Sequence, residues 1–213
     1  MGGLKIRIWC AAQPREAELS AEQVVTKVVP VLQQCHSSAE IVVCPLDAPM
    51  AIAPQAAVLD YSLTHWASSH LWQQCRALGP LVSQWGIGTG TGGLYQLPLA
   101  QTAKGTLFGE IIGCLEGTWQ LPIHASDRQR QTLYALGRRL LDYLQAPVGC
   151  YFLQFDWQGE VIFERLWPFP TVAALASIGV QTPDWLVAHY QCLRGMPLRD
   201  VRIPARDTVR RLE

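Results

Sequence analysis

A chain of 213 residues is long enough to bury a substantial core, as one large domain or as two small lobes. Its 17 basic and 17 acidic residues cancel, which removes any general attraction to nucleic acid or to an anionic membrane surface. Only 16% of the residues are charged and eight are Trp, so the chain has either a large, well-filled core or a surface that a partner covers.

The seven cysteines, Cys10, Cys35, Cys44, Cys75, Cys114, Cys150 and Cys192, are odd in number and include no C-x-x-C pair. With a start, MGGLKIRIWC, that lacks the apolar run of a signal peptide, they point to a reducing cytoplasm and buried free thiols. Lys5 and Ile6 stand where a myristoylation signal needs Ser or Thr. The longest uncharged run, Ala77 to Ala103, is too rich in Gly, Pro and Gln for a spanning helix, and no membrane insertion is expected.

In chain order, Leu4 to Cys10 reads as a first strand. Ser20-Ala21-Glu22-Gln23 has the capping-box pattern, and Val24, Val25, Val28, Leu32 and Cys35 continue at helical spacing. Pro30 is expected to kink or divide that helix. Ile41 to Leu46 is a second strand and Val58 to Tyr61 a third. From Thr64 to Leu78 a helical stripe of Ala67, Leu71, Cys75 and Leu78 follows, with Trp72 beside it. These pieces assemble most simply as a parallel βαβ unit. His65, His70 and Cys75 resemble a metal string, but five-residue steps turn each side chain about 140° from the last, so one zinc cannot take all three. His36 and His124 show no obvious acid–nucleophile arrangement in sequence and His189 lies within a predicted helix, so a catalytic triad has no support.

Gly88-x-Gly90-x-x-Gly93 matches the dinucleotide-binding string, yet it leads into an extended stretch, Leu94 to Leu99, where that motif opens a helix. Leu94 also stands where a P-loop has its lysine. Two readings stay open: bare amides that cradle an anion, or a loop that is flexible or tightly packed. Thr106 to Ile112 and Cys114 to Leu121 read as a strand pair, preceded by Lys104 in a loop. Ser126-Asp127-Arg128-Gln129 starts the clearest helix, whose stripe is Leu133, Leu136, Gly137, Leu140, Leu141 and Leu144, and Pro147 ends it.

Cys150 to Phe155 and Val161 to Phe163 then form an antiparallel hairpin about Asp156-Trp157-Gln158-Gly159, with Asp156 and Glu164 at its opposite ends. Tyr151, Leu153 and Phe155 share one face, Phe152 and Gln154 the other, and Ile162 lies with Glu164. Thr171 to Ile178 makes a short helix, and Thr182 caps another with Pro183 in its first turn.

The order of acid, turn glycine, short strand, acid and Pro-containing bend from Asp156 to Pro170 resembles the end of the ATP-grasp fold. There, two acids and the asparagine of an E-x-N-P-like motif hold magnesium against nucleotide phosphates. The resemblance covers about residues 84–195. It implies Asp156 and Glu164 as metal ligands, and Gly88, Gly90, Gly92, Gly93 and Lys104 around the phosphates of ATP. Two departures stand out. Leu166 replaces the asparagine and offers no oxygen to a hard cation, and Lys5, Lys27 and Lys104 are the chain's only lysines.

The expected fold is mixed α/β to α+β: an α/β portion over residues 1–80, an ATP-grasp-like portion over 81–195 with a mostly antiparallel sheet backed by helices, and a tail over 196–213. The expected function is non-catalytic, an assembly or regulatory factor that binds another protein through Trp157, Trp167 and Phe169 and needs no cofactor. The alternative is an ATP- and Mg²⁺-dependent carboxylate–amine ligase or other nucleotide-binding enzyme. The Gln-rich, Lys-poor composition resembles that of cyanobacterial proteins, which would make a photosynthetic complex the client.

Overall fold

The computed structural model describes residues 4–11, 18–46, 58–63 and 70–204. Its first part is a parallel sheet of three strands, β1 (Lys5–Ala11), β2 (Glu40–Leu46) and β3 (Val58–Ser62), in the order β2-β1-β3. The crossover helix α1 begins at the Ser20 capping box, in which Ser20 Oγ accepts from the Gln23 N–H and Gln23 Oε1 accepts from the Ser20 N–H. Three helical stretches, Ala21–Gln23, Val24–Val28 and Val29–Cys35, follow without a break as α1. Pro30 does not divide it. The turn before the proline is π-wound instead, with the Val29 N–H bonded to the Val24 carbonyl. This wider winding makes room for a ring that has no N–H to give and would crowd the carbonyl four residues back.

Two short helices, α2 (His70–Arg76) and α3 (Leu78–Gln84), lead to the second sheet. The predicted helix start at Thr64 and the ligand candidate His65 lie outside the described residues. The sheet comprises β4 (Gly88–Thr89), β5 (Tyr95–Thr102), β6 (Gly105–Phe108), β7 (Ile111–Leu115), β8 (Thr118–Ile123), β9 (Gly149–Gln158) and β10 (Glu160–Trp167). Its order is β4-β10-β9-β5-β7-β8, with β6 also on β5, and every pairing is antiparallel except β4 with β10. Where a strand pair was predicted between Thr106 and Leu121 there are three strands. Gly113 lies inside β7 rather than at a break, and the turn falls at Glu116 and Gly117, both with positive φ.

Helix α4 (Asp127–Tyr143) covers one face of this sheet, its Leu133, Leu136, Leu140 and Leu141 packing with Tyr151, Leu153, Phe155 and Phe163. The opposite face sends Cys150, Phe152 and Trp167 into a cluster that also holds Ile6, Ile8 and Tyr61, so one core joins the two sheets. Ser126 Oγ accepts from the Gln129 N–H and Gln129 Oε1 from the Ser126 N–H, the predicted box at the start of α4. Ser126→Ala should cost about 1 kcal/mol, read as a lower thermal midpoint. An unchanged midpoint would mean that the box contributes nothing.

A 3₁₀ turn (Val172–Ser177) and α5 (Trp185–Leu193) complete the chain's regular structure. The cap of α5 is Asp184, not Thr182: Asp184 Oδ1 accepts from the N–H groups of Leu186 and Val187. Thr182 instead pairs with Arg202, which ties the start of the tail to the body. All seven cysteines are free thiols, but Cys35 is exposed and only Cys10, Cys75, Cys150 and Cys192 are buried. Among the described residues no helix is long and apolar enough to cross a membrane.

Candidate functional site

The hairpin is longer than its sequence implied. The ladder of β9 and β10 runs to Gln158 and Glu160, and only Gly159, at φ 82°, makes the bend. Asp156 and Glu164 therefore do not sit at opposite ends. Asp156 faces Ile162 across the ladder, and Glu164 is the next residue on that side of β10. The register shifts between Phe163 and Arg165, the extra residue of a bulge at Glu164. That shift also turns Leu166 to the helix-covered face, where it is fully buried. The position that carries an asparagine in the resembling fold thus looks away from the two acids.

What brings this face together is the peptide of Gly93. Its N–H donates to Glu164 Oε2, and its carbonyl accepts from Gln154 Nε2 at 2.9 Å. Gln154 Oε1 in turn accepts from Trp167 Nε1 at 2.7 Å. Beside Gln154 across the β5–β9 ladder lies Gln96, fully buried, whose Oε1 accepts from Thr171 Oγ1 at 2.6 Å while its Nε2 has no partner. Arg165 pairs with Gln154 on β10 and lies 4.8 Å over the Trp167 ring.

The glycines serve close packing here. Gly88 and Thr89 lie along β10 as a strand, and the Gly90 N–H donates to the Phe163 carbonyl at 2.9 Å. A Cβ on Gly88 would meet Ile162 Cδ1 at 2.6 Å, and one on Gly93 would meet the Phe155 carbonyl oxygen at 2.7 Å. Gly92 turns the chain at φ 82°. The amides of Gly90 and Gly93 are thus directed into the hairpin.

Lys104 does not join this face. It sits in the β5–β6 turn, at the end of β5 that pairs with Gly149. Asp156 is seven residues farther along β9, about 23 Å at 3.3 Å per residue. Each acid of the expected metal pair also has one oxygen engaged: Glu164 with the Gly93 amide and Asp156 Oδ1 with the N–H of Trp157 at 2.8 Å. Among the described residues no three His, Cys, Asp or Glu side chains gather in a way that could hold a metal ion.

The three aromatic residues expected at a contact surface fare differently. Trp167 and Phe169 are 3% and 2% exposed, and both ring systems pack against Trp72, at 5.5 and 6.2 Å between centroids. They fill the core and offer no surface. Trp157 is half-buried against Tyr95 and Phe155, and it borders a recess of about 510 Å³ between the hairpin bend, Gly86–Ile87 and the start of α4. His189 is buried, accepts from the Cys150 N–H at Nδ1, and meets the edge of Tyr61. Burial pushes its pKa down to about 3, so the ring is neutral. Of the residues that build the site, Gln154 was legible as sharing a strand face with Phe152, whereas Gln96 and Arg165 carried no local signal.

No family model matches the chain, and no curated protein matches its sequence. Solved structures do match its fold. The glycinamide-RNase-transformylase T of Mycobacterium tuberculosis superposes with TM-score 0.60 at 13% identity, over 91% of this chain and 80% of that one. An N5-carboxyaminoimidazole synthetase of Staphylococcus aureus gives 0.62 at 9%, over 94% and 80%. A carboxyaminoimidazole ribonucleotide synthase of Aspergillus clavatus, solved with ATP, gives 0.60 at 8%, over 92% and 78%. A parallel sheet followed by a mostly antiparallel one, with these structural neighbours, makes the architecture of this chain ATP-grasp-like.

Proposed function

We propose that the chain is a non-catalytic protein that binds another protein, in assembly or regulation, on an ATP-grasp-like scaffold whose nucleotide face is closed by its own backbone. The observation that carries this reading is the Gly93 peptide held between Gln154 and Glu164. A hard cation such as Mg²⁺ demands close to six oxygens in octahedral array. With Glu164 Oε2 held by the Gly93 N–H and Asp156 Oδ1 by the Trp157 N–H, a cation that takes both oxygens of either acid must break one of these bonds. The departures at Leu166 and Lys104 act in the same direction, since one faces away and the other lies at the far end of the sheet. The low share of charged residues agrees with a surface that a partner covers.

A second reading, an ATP- and Mg²⁺-dependent ligase with Asp156 and Glu164 on the metal, draws on Arg165. It is a cation on the same face as the two acids, where a transferring phosphoryl group would need one. Calorimetry separates the two. With millimolar ATP and Mg²⁺ we expect no heat of binding. A saturable isotherm that Asp156→Asn or Glu164→Gln weakens would replace the scaffold with the ligase.

A further inference from the structure

With Trp167 and Phe169 inside the core, two of the six large apolar side chains exposed among the described residues, Val148 and Met196, meet at the end of the large sheet away from the two acids. Val148 and Met196 are 41% and 47% exposed. With Leu107 and Leu193 they line a groove of about 610 Å³ between the β5–β6 turn and the segment that follows α5. Lys104 and Arg199 complete the lining, which contains no carboxylate. One wall is the β5–β6 turn from Thr102 to Leu107, and Val148 lies across β5 from β6, just before β9.

Each feature narrows what can lie there. A contiguous exposed apolar floor marks a contact surface. Two cations without a facing acid repel a basic segment and attract an acidic one. We propose that this groove docks an acidic segment of another protein, with apolar side chains on Leu107, Val148, Leu193 and Met196 and carboxylates toward Lys104 and Arg199. The inference rests on the binding role proposed above and gives that role a surface. A second copy of this chain is the alternative occupant, which sedimentation tells apart.

The test is an array of peptides of about twelve residues in which acidic and apolar content vary independently, probed with the full chain and its variants. Only peptides rich in both should bind, and the affinity measured by fluorescence anisotropy should fall about tenfold or more in Met196→Asp and in the double variant Lys104→Glu, Arg199→Glu. All three side chains are on exposed residues, so circular dichroism should stay native in these variants. Equal binding of Lys-for-Glu counterparts, equal binding by the variants, or no signal on the array would overturn the proposal. So would a dimer, seen by sedimentation, that Met196→Asp dissociates, because it would assign the groove to a second copy. Nucleotide plays no part in this experiment. Its failure therefore leaves the closed nucleotide face standing.

Discussion

Trp167→Ala should lower the free energy of unfolding by about 3–5 kcal/mol, among the largest effects of any single truncation in this chain. The indole is 3% exposed, stacks on Trp72, meets Phe169 edge-on at 5.8 Å and donates to Gln154. Its removal leaves a cavity where the core joins the two sheets, and it takes away the donor that orients Gln154 toward the Gly93 carbonyl. Urea unfolding measures the loss. Trp157→Ala, on a ring that is half-buried, provides the comparison and should shift the midpoint far less. A Trp167→Ala loss below about 1 kcal/mol would refute the packing described here. The same variant is a poor probe of partner binding, since lost binding would report a loosened core.

Acidification should destabilise the protein through His189. Its pKa is about 3 when folded, because burial penalises the imidazolium, and near 6.5 when unfolded. Above the unfolded value neither state is protonated there, and the full stability is present. Below it the unfolded chain takes a proton that the folded chain refuses. This residue then costs about 1.4 kcal/mol for each pH unit, until the pH reaches the folded value. Asp184 works in the opposite sense: burial raises its pKa, so the folded state gains relative to the unfolded one as that carboxylate protonates. The difference between wild type and His189→Gln isolates the histidine. Glutamine keeps an acceptor for the Cys150 N–H but cannot titrate. Unfolding free energies measured by urea between about pH 7 and pH 5 should converge for the two proteins as the pH falls. Parallel profiles would exclude His189 as the acid-sensitive group.

The elements that sequence reasoning found rest on neighbours a few residues apart. Ser20 with Gln23 and Ser126 with Gln129 are local boxes, and both form. The alternation of Tyr151, Leu153 and Phe155 against Phe152 and Gln154 needs only the pleat of one strand, and it holds in the two core clusters. The closed face is of another kind. Gln154 lies 61 residues from Gly93, and Glu164 lies 71 from it, so no spacing rule announces their meeting. Trp167 and Phe169 carry the same signature whether a partner or Trp72 covers them, and the tertiary fold decided for Trp72. The cap of α5 went to Asp184 and not Thr182 because the helix begins only at Trp185.

The two-residue strand β4 also guards an edge of the sheet. It lies along the outer edge of β10, which would otherwise present unpaired amides and carbonyls next to buried Val161 and Phe163. A Cβ on Gly88 would meet only Ile162 Cδ1, at 2.6 Å, the far end of a side chain that can turn aside, so the pairing of the strip and not the glycine guards the edge. Detaching the strip would leave a bare strand able to recruit other copies edge to edge. On this account β4 protects the colloidal behaviour of the protein, and its detachment would register as precipitation in concentrated solution while the fold of each molecule stayed intact.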